Sequence, residues 1–366
     1  MSQSLKKLKI SSPGRVCLFG EHQDYLHLPI VASAISLRIS ITGKRRKDQS
    51  VNIDLPDISE KKSFKLSDQL VYTVERDYYK SAIKVLRRNS FTFSSGFDCT
   101  VNGKIPINAG TASSSALVVT WINFLARMSD QSIILTQEKL ARYAYEAEVL
   151  EFSEPGGMMD QYSASYGGII SIDFIPDTKV TSIKPNLKTF VLGNSGEPKN
   201  TMFVLSHVKN RILETVKILN SVDPNFSLNT IKTDELNHYR NNLSEGLFDL
   251  LGGTITNRDI TLQARLELNK QNIDHRLIGK LLNEHQKVLR DVLGISTFKI
   301  NRMIEAALDA GAYGAKINGS GGGGCMFAYA PEYTEKVKAA IEKEEGEAFI
   351  INSDSGSCAE QMEKRN

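Results

Sequence analysis

Short runs of apolar and β-branched residues, separated by polar turns, recur through the first hundred residues of the chain. This pattern predicts β-strands at residues 8–10, 16–19, 30–42, 51–55 and 97–102. A turn at residues 11–14, which includes Pro13 and Gly14, separates the first two strands. Residues 43–48 are mostly basic and predict the solvated turn of a hairpin, and residues 72–88 have the apolar spacing of a helix.

The middle of the chain combines two helices with a further strand. Residues 116–128 are apolar on most faces and predict a buried helix. Residues 136–152 predict a second helix, which begins at a threonine and has a glutamate two residues later. After a glycine pair and a short polar stretch, residues 167–174 predict a strand.

A polar, turn-rich stretch over residues 177–198 marks the predicted junction between two domains, which we place at residues 1–190 and 191–366. The second domain combines helices and strands, with a long helix-rich segment over residues 227–293. Its other predicted elements are strand 201–205, helix 208–222, helix 297–310, strands 315–317 and 325–329, helix 333–344 and strand 347–351.

The composition is that of a globular protein. The 366 residues correspond to about two domains, and 41% hydrophobic with 24% charged residues excludes a disordered chain. The net charge of +3 is too small to indicate a nucleic-acid or membrane partner, and no apolar run approaches the ~20 residues of a membrane span. Four cysteines without metal-type or disulfide-type spacing favour a reducing cytoplasm: Cys17, Cys99, Cys325 and Cys358.

Small residues fill the loop at residues 108–115, directly before the buried helix. A helix N-terminus offers free N–H groups and a partial positive charge, both of which favour a phosphate. The hydroxyls of Ser113, Ser114 and Ser115 can add hydrogen bonds or a metal ligand. The segment lacks the lysine of the GxxxxGK[ST] phosphate loop, and a serine that simply caps the helix is an equally good interpretation.

A second loop is much richer in glycine. Five of the six residues at positions 319–324 are glycine, between two predicted strands, and each glycine costs backbone entropy on folding. A hairpin turn needs only one or two glycines. Close packing of this backbone against a phosphate or against the serine loop accounts for the run better than a flexible linker does.

Several charged residues have the chemistry of a binding or catalytic site. Glu21, His22 and Asp24 can bind the hydroxyls of a polyol, with a charged surface turn as the alternative. Asp160 follows two glycines and two methionines, and an acid in an apolar setting must be paired or functional. Glu148, on the preceding helix, has the chemistry of a magnesium ligand, although most glutamates on such helices are solvated.

Taken in order along the chain, these segments resemble the GHMP kinase superfamily, and within it the galactokinase branch. Residues 13–16 and 20–25 are similar to the galactokinase signature, with Gln23 where threonine is usual. Four more segments are similar to the family's serine-rich phosphate loop, its catalytic-aspartate segment and its C-terminal motifs: residues 110–116, 157–161, 283–296 and 314–325. The motifs occur in family order from residue 12 to residue 325, which makes the resemblance specific.

The resemblance implies transfer of the γ-phosphoryl group of ATP to a small-molecule hydroxyl, and specifically to the anomeric hydroxyl of a monosaccharide. By motif position, Asp160 would take the hydroxyl proton, and Arg15 would steady the charge on the phosphoryl group. The sugar would be bound by Glu21, His22, Asp24 and Tyr25. The phosphates would be bound by Gly110, Thr111, Ser113, Ser114, Ser115, Gly319, Gly321 and Gly322, and Mg²⁺ by Ser115 and Glu148.

The resemblance also implies an α+β fold of two domains with the active site between them. The N-terminal domain would have a mixed sheet with helices, like domain 2 of ribosomal protein S5. The C-terminal domain would be a ferredoxin-like α+β sandwich. ATP and a small-molecule sugar are the implied partners.

Two alternative functions remain open. One is a non-catalytic sensor of sugar and nucleotide, against which the retained Asp160 argues. The other is a kinase with mevalonate or homoserine as the acceptor, although Glu21, His22 and Asp24 favour a polyhydroxylated acceptor. After Tyr25 the chain departs from the Asn-Gly-Gly type of turn usual in galactokinases, so the sequence leaves the identity of the sugar open.

Overall fold

Two β-sheets, each packed against helices, organise the part of the chain that the computed structural model describes, which is residues 7–67, 69–198 and 201–360. In chain order the strands are β1 Lys7–Phe19, β2 Ile30–Arg45, β3 Ser50–Leu55, β4 Glu60–Lys65, β5 Phe97–Gly103, β6 Ile169–Asp173, β7 Lys179–Ile183, β8 Phe190–Asn194, β9 Gly314–Ile317, β10 Cys325–Tyr329, β11 Glu347–Ile351 and β12 Cys358–Glu360. The α-helices are α1 Tyr78–Arg88, α2 Ser113–Met128, α3 Gln137–Tyr145, α4 Met159–Tyr166, α5 Thr201–Val222, α6 Glu245–Leu268, α7 His275–Asp291, α8 Phe298–Asp309 and α9 Thr334–Lys343. Among these residues, no helix combines the length and hydropathy that a membrane span requires.

The larger sheet is mixed and the smaller one is antiparallel. The larger has the strand order β12-β1-β2-β5-β3-β4, with β6 and β7 continuing from β2, and its β3–β5 pair is parallel. The smaller has the order β11-β8-β10-β9. The predicted division between residues 190 and 191 falls after the first residue of β8, and β12 returns the C-terminal part of the chain to the larger sheet.

Apolar clusters hold each sheet to its helices and the two sheets to each other. On the larger sheet, Trp121 and Phe124 of α2 stack with ring centroids 5.5 Å apart, and Phe97 of β5 packs edge-on against both. A separate cluster joins Phe19 of β1 to Phe327 of β10. This last cluster therefore packs the two sheets against each other.

Three predictions in the first hundred residues are wrong in detail. Residues 8–10 and 16–19 belong to one long strand, because the Pro13–Gly14 segment is accommodated by a register shift against β2 instead of a turn. The first three residues of the basic segment, residues 43–45, lie within β2. The helix predicted over residues 72–88 begins only at Tyr78.

The predictions for the C-terminal half were least accurate near the domain junction. Residues 201–205, predicted as a strand, form the first turns of α5, because the helix continues through a segment of high β-propensity. The polar stretch over residues 177–198 contains β7 and β8. In the first half of the chain, the sequence analysis did not predict β4 and α4, because they lie in polar segments where the apolar signal is weak.

Candidate active site

A cleft between the two units brings together most of the predicted site residues. The N-termini of α2 and α4, the loop after β1 and the loop between β9 and β10 border it. The predicted residues that line it are Arg15, Glu21, His22, Asp24, Tyr25, Gly110, Ser113, Ser114, Ser115, Glu148, Asp160 and Gly319. Residues more than 300 positions apart in sequence therefore share one site.

Arg15 and Asp160 form an ion pair at the centre of the cleft. Nε and Nη2 of Arg15 each lie 2.7 Å from Oδ1 of Asp160, in the first turn of α4. Nη1 of Arg15 donates to the carbonyl oxygen of Gly110 at 2.5 Å. The Arg15 side chain is 5% exposed and that of Asp160 is 28% exposed. A buried cation therefore orients a carboxylate that opens to the cleft.

Asp24 lies close to Asp160, and both of its oxygens accept backbone hydrogen bonds. Its Oδ1 accepts from the Tyr25 N–H at 2.9 Å, and its Oδ2 accepts from the Met159 N–H at 3.2 Å. A Cβ atom at Gly157 would lie 2.0 Å from Oδ2 of Asp24, so only glycine fits there. Burial, with a further contribution from the charge of Asp160, raises the pKa of Asp24 to about 6.

His22 connects the loop after β1 to the glycine loop. Its Nε2 lies 3.0 Å from the carbonyl oxygen of Ser320, and its Nδ1 lies 2.7 Å from the hydroxyl of Tyr25. Because a carbonyl oxygen only accepts, Nε2 carries a proton and donates it to this bond. Burial raises the pKa of Tyr25 well above its usual range, which keeps its hydroxyl protonated as a donor to Nδ1.

Glu21 has a buried partner that the sequence analysis did not foresee. Its carboxylate pairs with the ammonium of Lys316, and the side chains of Glu21 and Lys316 are 1% and 0% exposed. Oε2 of Glu21 lies 3.8 Å from Nε2 of His285. Burial, with the charge of Lys316 adding to it, lowers the pKa of His285 well below its usual value, so this imidazole is neutral. One oxygen of Glu21 is therefore engaged inside the protein.

Glu148 lies in a short π-helical segment, Glu146–Leu150, that continues from α3. Its side chain is buried, and its Oε2 accepts from Nε2 of Gln161 at 2.6 Å. Burial raises the pKa of Glu148 to about 7, although hydrogen bonds from Gln161, Ser114 and Ser115 act in the opposite direction. The hydrogen-bond partners of this carboxylate are thus neutral hydroxyl and amide groups, and the charge of Asp160 adds to the rise of its pKa.

The serine and glycine loops pack directly against each other, as the sequence analysis predicts. A Cβ atom at Gly319, where φ is +75°, would lie 2.7 Å from the carbonyl oxygen of Gly110. One at Gly324, where φ is +79°, would lie 2.6 Å from that of Ala109. Asn318 strengthens the contact, because its Nδ2 donates to the Gly110 carbonyl at 2.8 Å. The glycines therefore permit an approach that no side chain would allow.

Three residues predicted to bind phosphates do not line the cleft. Thr111 is fully buried, and its hydroxyl donates to the carbonyl of Pro106 at 3.3 Å. Gly321 packs on Ile295, and Gly322 packs on Val204. The cause is the course of the two loops: Thr111 turns inward, and the second half of the glycine loop turns toward α5 and the segment between α7 and α8.

The sequence analysis missed other residues of the cleft. Arg76 and Glu154 form an ion pair at 2.7 Å beside Tyr78, whose pKa burial raises above its usual range. Nothing in the local sequence marks these three. Gln161, by contrast, directly follows Asp160 within the predicted motif, and its position there was a usable signal.

The lining of the cleft is predominantly acidic. Five carboxylates line it: Glu21, Asp24, Glu148, Glu154 and Asp160. The arginines of the lining, Arg15 and Arg76, are both engaged in ion pairs. Among the described residues, no group of three or more histidine, cysteine, aspartate or glutamate side chains is arranged so that it could hold a metal ion.

Three family models match the chain. The model of the GHMP kinase N-terminal domain matches residues 77–168, and that of the GHMP kinase C-terminal domain matches residues 266–348. The galactokinase galactose-binding signature matches residues 4–45. The signature contains the loop after β1, the N-terminal model contains the serine loop and Asp160, and the C-terminal model contains the glycine loop.

Comparison with individual proteins gives relatives of two kinds. The chain is 26% identical over 340 residues to a mevalonate kinase of Thermococcus gammatolerans, which covers 90% of the chain and 91% of the relative. It is 24% identical over 354 residues to a galactokinase of Actinobacillus succinogenes, covering 92% and 88%.

Solved structures confirm the expected fold. Lactococcus lactis galactokinase in complex with galactose superimposes with a TM-score of 0.86 at 20% identity, covering 96% of the chain and 95% of that structure. Methanococcus jannaschii mevalonate kinase gives a TM-score of 0.71 at 22% identity, covering 97% and 100%. The chain therefore has the two-domain α+β fold that these kinases share.

Proposed function

Since the chain belongs to the GHMP kinase family, whose members use ATP as the phosphate donor, we propose that it is a sugar kinase. It transfers the γ-phosphoryl group to the anomeric hydroxyl of a neutral monosaccharide in the cytoplasm. The observation that supports this most strongly is the Arg15–Asp160 pair, beside Asp24 on one side and the serine loop on the other. The two walls of the cleft come from the proposed domains, residues 1–190 and 191–366.

Asp160 is the proposed base for the acceptor hydroxyl. Its Oδ1 is held by two N–H groups of Arg15, which fixes the orientation of the carboxylate while leaving it partly exposed to the cleft. The guanidinium also lies where negative charge would be stabilised as the phosphoryl group moves. Asp160 therefore acts mainly through position, with Arg15 as its orienting partner.

The proposed phosphate site is the N-terminus of α2. Ser113, Ser114 and Ser115 form its first turn, where backbone N–H groups without helical partners point toward an anion. Gly110 and Gly319 allow the two loops to approach closely beside it. ATP phosphates bound there would lie on the same side of the cleft as Arg15.

Ser115 and Glu148 fit a magnesium ion. Mg²⁺ prefers hard oxygen ligands and usually takes only one or two from the protein, with water and phosphate oxygens supplying the others. A buried carboxylate whose hydrogen-bond partners are neutral provides such a ligand next to the proposed phosphate site. When bound, the ion would neutralise phosphate charge.

The charge of the cleft supports a neutral, polyhydroxylated acceptor. A mevalonate or homoserine acceptor carries a carboxylate, which Asp24, close to Asp160, would repel when it is ionised. A sugar instead offers hydroxyl donors, which the oxygens of Asp24 can accept. The galactose-binding signature over residues 4–45 includes Asp24 and the buried Glu21.

A second candidate acceptor, mevalonate, is favoured by the mevalonate kinases among the relatives and by one cation near the cleft. Nζ of Lys209 lies 5.3 Å from the ring centre of Tyr25 and donates to the Pro155 carbonyl at 3.0 Å. This ammonium is therefore close to Tyr25 of the lining, where it could meet an acceptor carboxylate. Lys209→Met would therefore raise the KM for mevalonate about fivefold but leave turnover of a sugar within about twofold, since a rim charge affects a neutral ligand little.

A panel of acceptors tests the proposal. ADP release is measured with hexoses, pentoses, heptoses, uronic acids, mevalonate and homoserine, in wild type, in Asp160→Asn and in Asp309→Asn, a control at an exposed aspartate of α8. We expect turnover with a neutral sugar, its loss in Asp160→Asn with ATP binding retained, and no effect in the control. No turnover on any sugar would overturn the proposal. Binding of sugar and ATP without ADP release would support a sensor.

A further inference from the structure

A fully buried lysine lies behind the cleft, outside its lining. Lys316 belongs to β9 of the smaller sheet and is 0% exposed. Its Nζ donates to the carbonyl oxygens of Cys17 at 2.9 Å and of Ile317 at 3.1 Å, and to the carboxylate of Glu21. An ammonium has three N–H donors, so all three are used.

The surroundings of this lysine make its partners essential. The ring of Phe327 lies 4.9 Å from Nζ, and the neutral His285 lies on the other side of Glu21, stacked on Phe19. A buried charge in such surroundings is strongly disfavoured unless it is paired. Glu21 and Lys316 therefore hold each other in place.

Two of the residues that Lys316 contacts, Cys17 and Glu21, belong to the larger-sheet unit and lie next to predicted site residues. Cys17 lies two residues after Arg15 in β1. Glu21 is the second residue of the loop at residues 20–27, which carries His22 and Asp24 into the cleft. The ammonium thus fixes this loop at its start, from the opposite unit of the fold.

The phosphate side of the cleft is held by other bonds. The N–H of Arg15 donates to the Thr111 carbonyl at 3.1 Å, and Asn318 donates to Gly110. Neither bond involves Lys316. A change at Lys316 should therefore disturb the loop of residues 20–27 more than the serine loop.

We propose that Lys316 is a positioning residue for the acceptor: through its ion pair with Glu21 it sets the loop of residues 20–27 so that Asp24 and His22 face the substrate. This inference deepens the proposed sugar-kinase function and rests on it for its kinetic part. The effect is on acceptor binding and not on ATP binding. Lys316 itself does not touch the substrate.

The test compares three variants with wild type. Lys316→Met removes the charge and leaves Glu21 unpaired, whereas Lys316→Met combined with Glu21→Gln removes both charges and guards against a failure to fold. Lys280→Met is the matched control, because it breaks an exposed ion pair with Glu284 on α7. In the variants that lack Lys316, we expect the acceptor KM to rise about tenfold, the factor of roughly one lost hydrogen bond, and the ATP KM to change by less than about twofold.

Amide hydrogen exchange supplies a readout that needs no turnover. In both Lys316 variants, amide exchange should be faster than in wild type in the peptide of residues 20–27. The exchange rate in the peptide of residues 108–115 should be unchanged. A purely structural role would lower activity in proportion to the folded fraction, leave both KM values unchanged and accelerate both peptides, and would overturn the inference. Absence of wild-type turnover would instead contradict the proposed function, while the exchange data still decide the role of Lys316.

Discussion

Replacing Glu148 by glutamine should make the ligand-free protein more stable at pH 8, although the residue is proposed to hold magnesium. In the folded protein burial raises the pKa of Glu148 from 4.5 to about 7, so its ionised form is disfavoured there. The difference between these values corresponds to about 3 kcal/mol of unfolding free energy. Glutamine has nearly the same shape and carries no charge, so this cost disappears.

The sign of the effect depends on pH. Because the folded state binds the proton more tightly than the unfolded state, the contribution of Glu148 to stability is present below pH 4.5 and is lost as the pH rises to about 7. Glu148→Gln should therefore match wild type near pH 4.5 and exceed it increasingly up to pH 7. Above that pH the gain should be constant at about 3 kcal/mol.

Urea unfolding followed by tryptophan fluorescence measures this directly. Trp121 is the single tryptophan of the chain and lies buried on α2, whose first turn contains Ser114 and Ser115. The control is Glu138→Gln, at an exposed carboxylate of α3, which should change stability by less than about 0.5 kcal/mol. The same Glu148 variant should lose the stabilisation that magnesium and ATP together give wild type. A variant that is no more stable than wild type at pH 8, or a gain that does not depend on pH, would refute the reasoning.

Three further predictions concern the cleft. The acceptor KM should rise as the pH falls below about 6, because Asp24 then becomes protonated. Asp24→Asn should remove this pH dependence. A pH dependence that persists in the variant would contradict the role of Asp24. Arg15→Lys keeps the charge but loses the two-pronged contact with Asp160, so kcat should fall about 10²-fold while the melting temperature stays close to that of wild type. An unchanged kcat would exclude the proposed orienting role. Gly319→Ala should lower the unfolding free energy by about 1–3 kcal/mol in urea titrations, more than Gly196→Ala, which shares a positive φ but meets no atom within 4 Å. Equal losses would show that the contact with Gly110 contributes nothing.

The strong local patterns of the sequence predicted most elements, and the weak ones failed for identifiable reasons. α2 was predictable because twelve of its sixteen residues are buried and apolar residues dominate them. β7 was not, because it is largely exposed and lacks an apolar face. The start of α5 was predicted as a strand because β-propensity is a local quantity. The helix is instead stabilised by packing in the apolar cluster of the smaller sheet and its helices.

The candidate site shows the same limit at the level of single residues. Asp160, Arg15 and the two loops were identifiable because each lies in a compact motif whose order along the chain adds specificity. Arg76, Glu154 and Lys316 were not, since their roles arise from partners that are distant in sequence. Local sequence also gave no sign that Glu21 is buried against an ammonium from β9.

One competition experiment tests the central claim most directly. The protein is incubated with γ-labelled ATP, Mg²⁺ and an equimolar mixture of galactose, other monosaccharides and mevalonate, and the label is located among the products. Our account predicts label on the anomeric oxygen of a sugar and none on any acceptor with Asp160→Asn. Label on mevalonate, or on no organic acceptor at all, would contradict it.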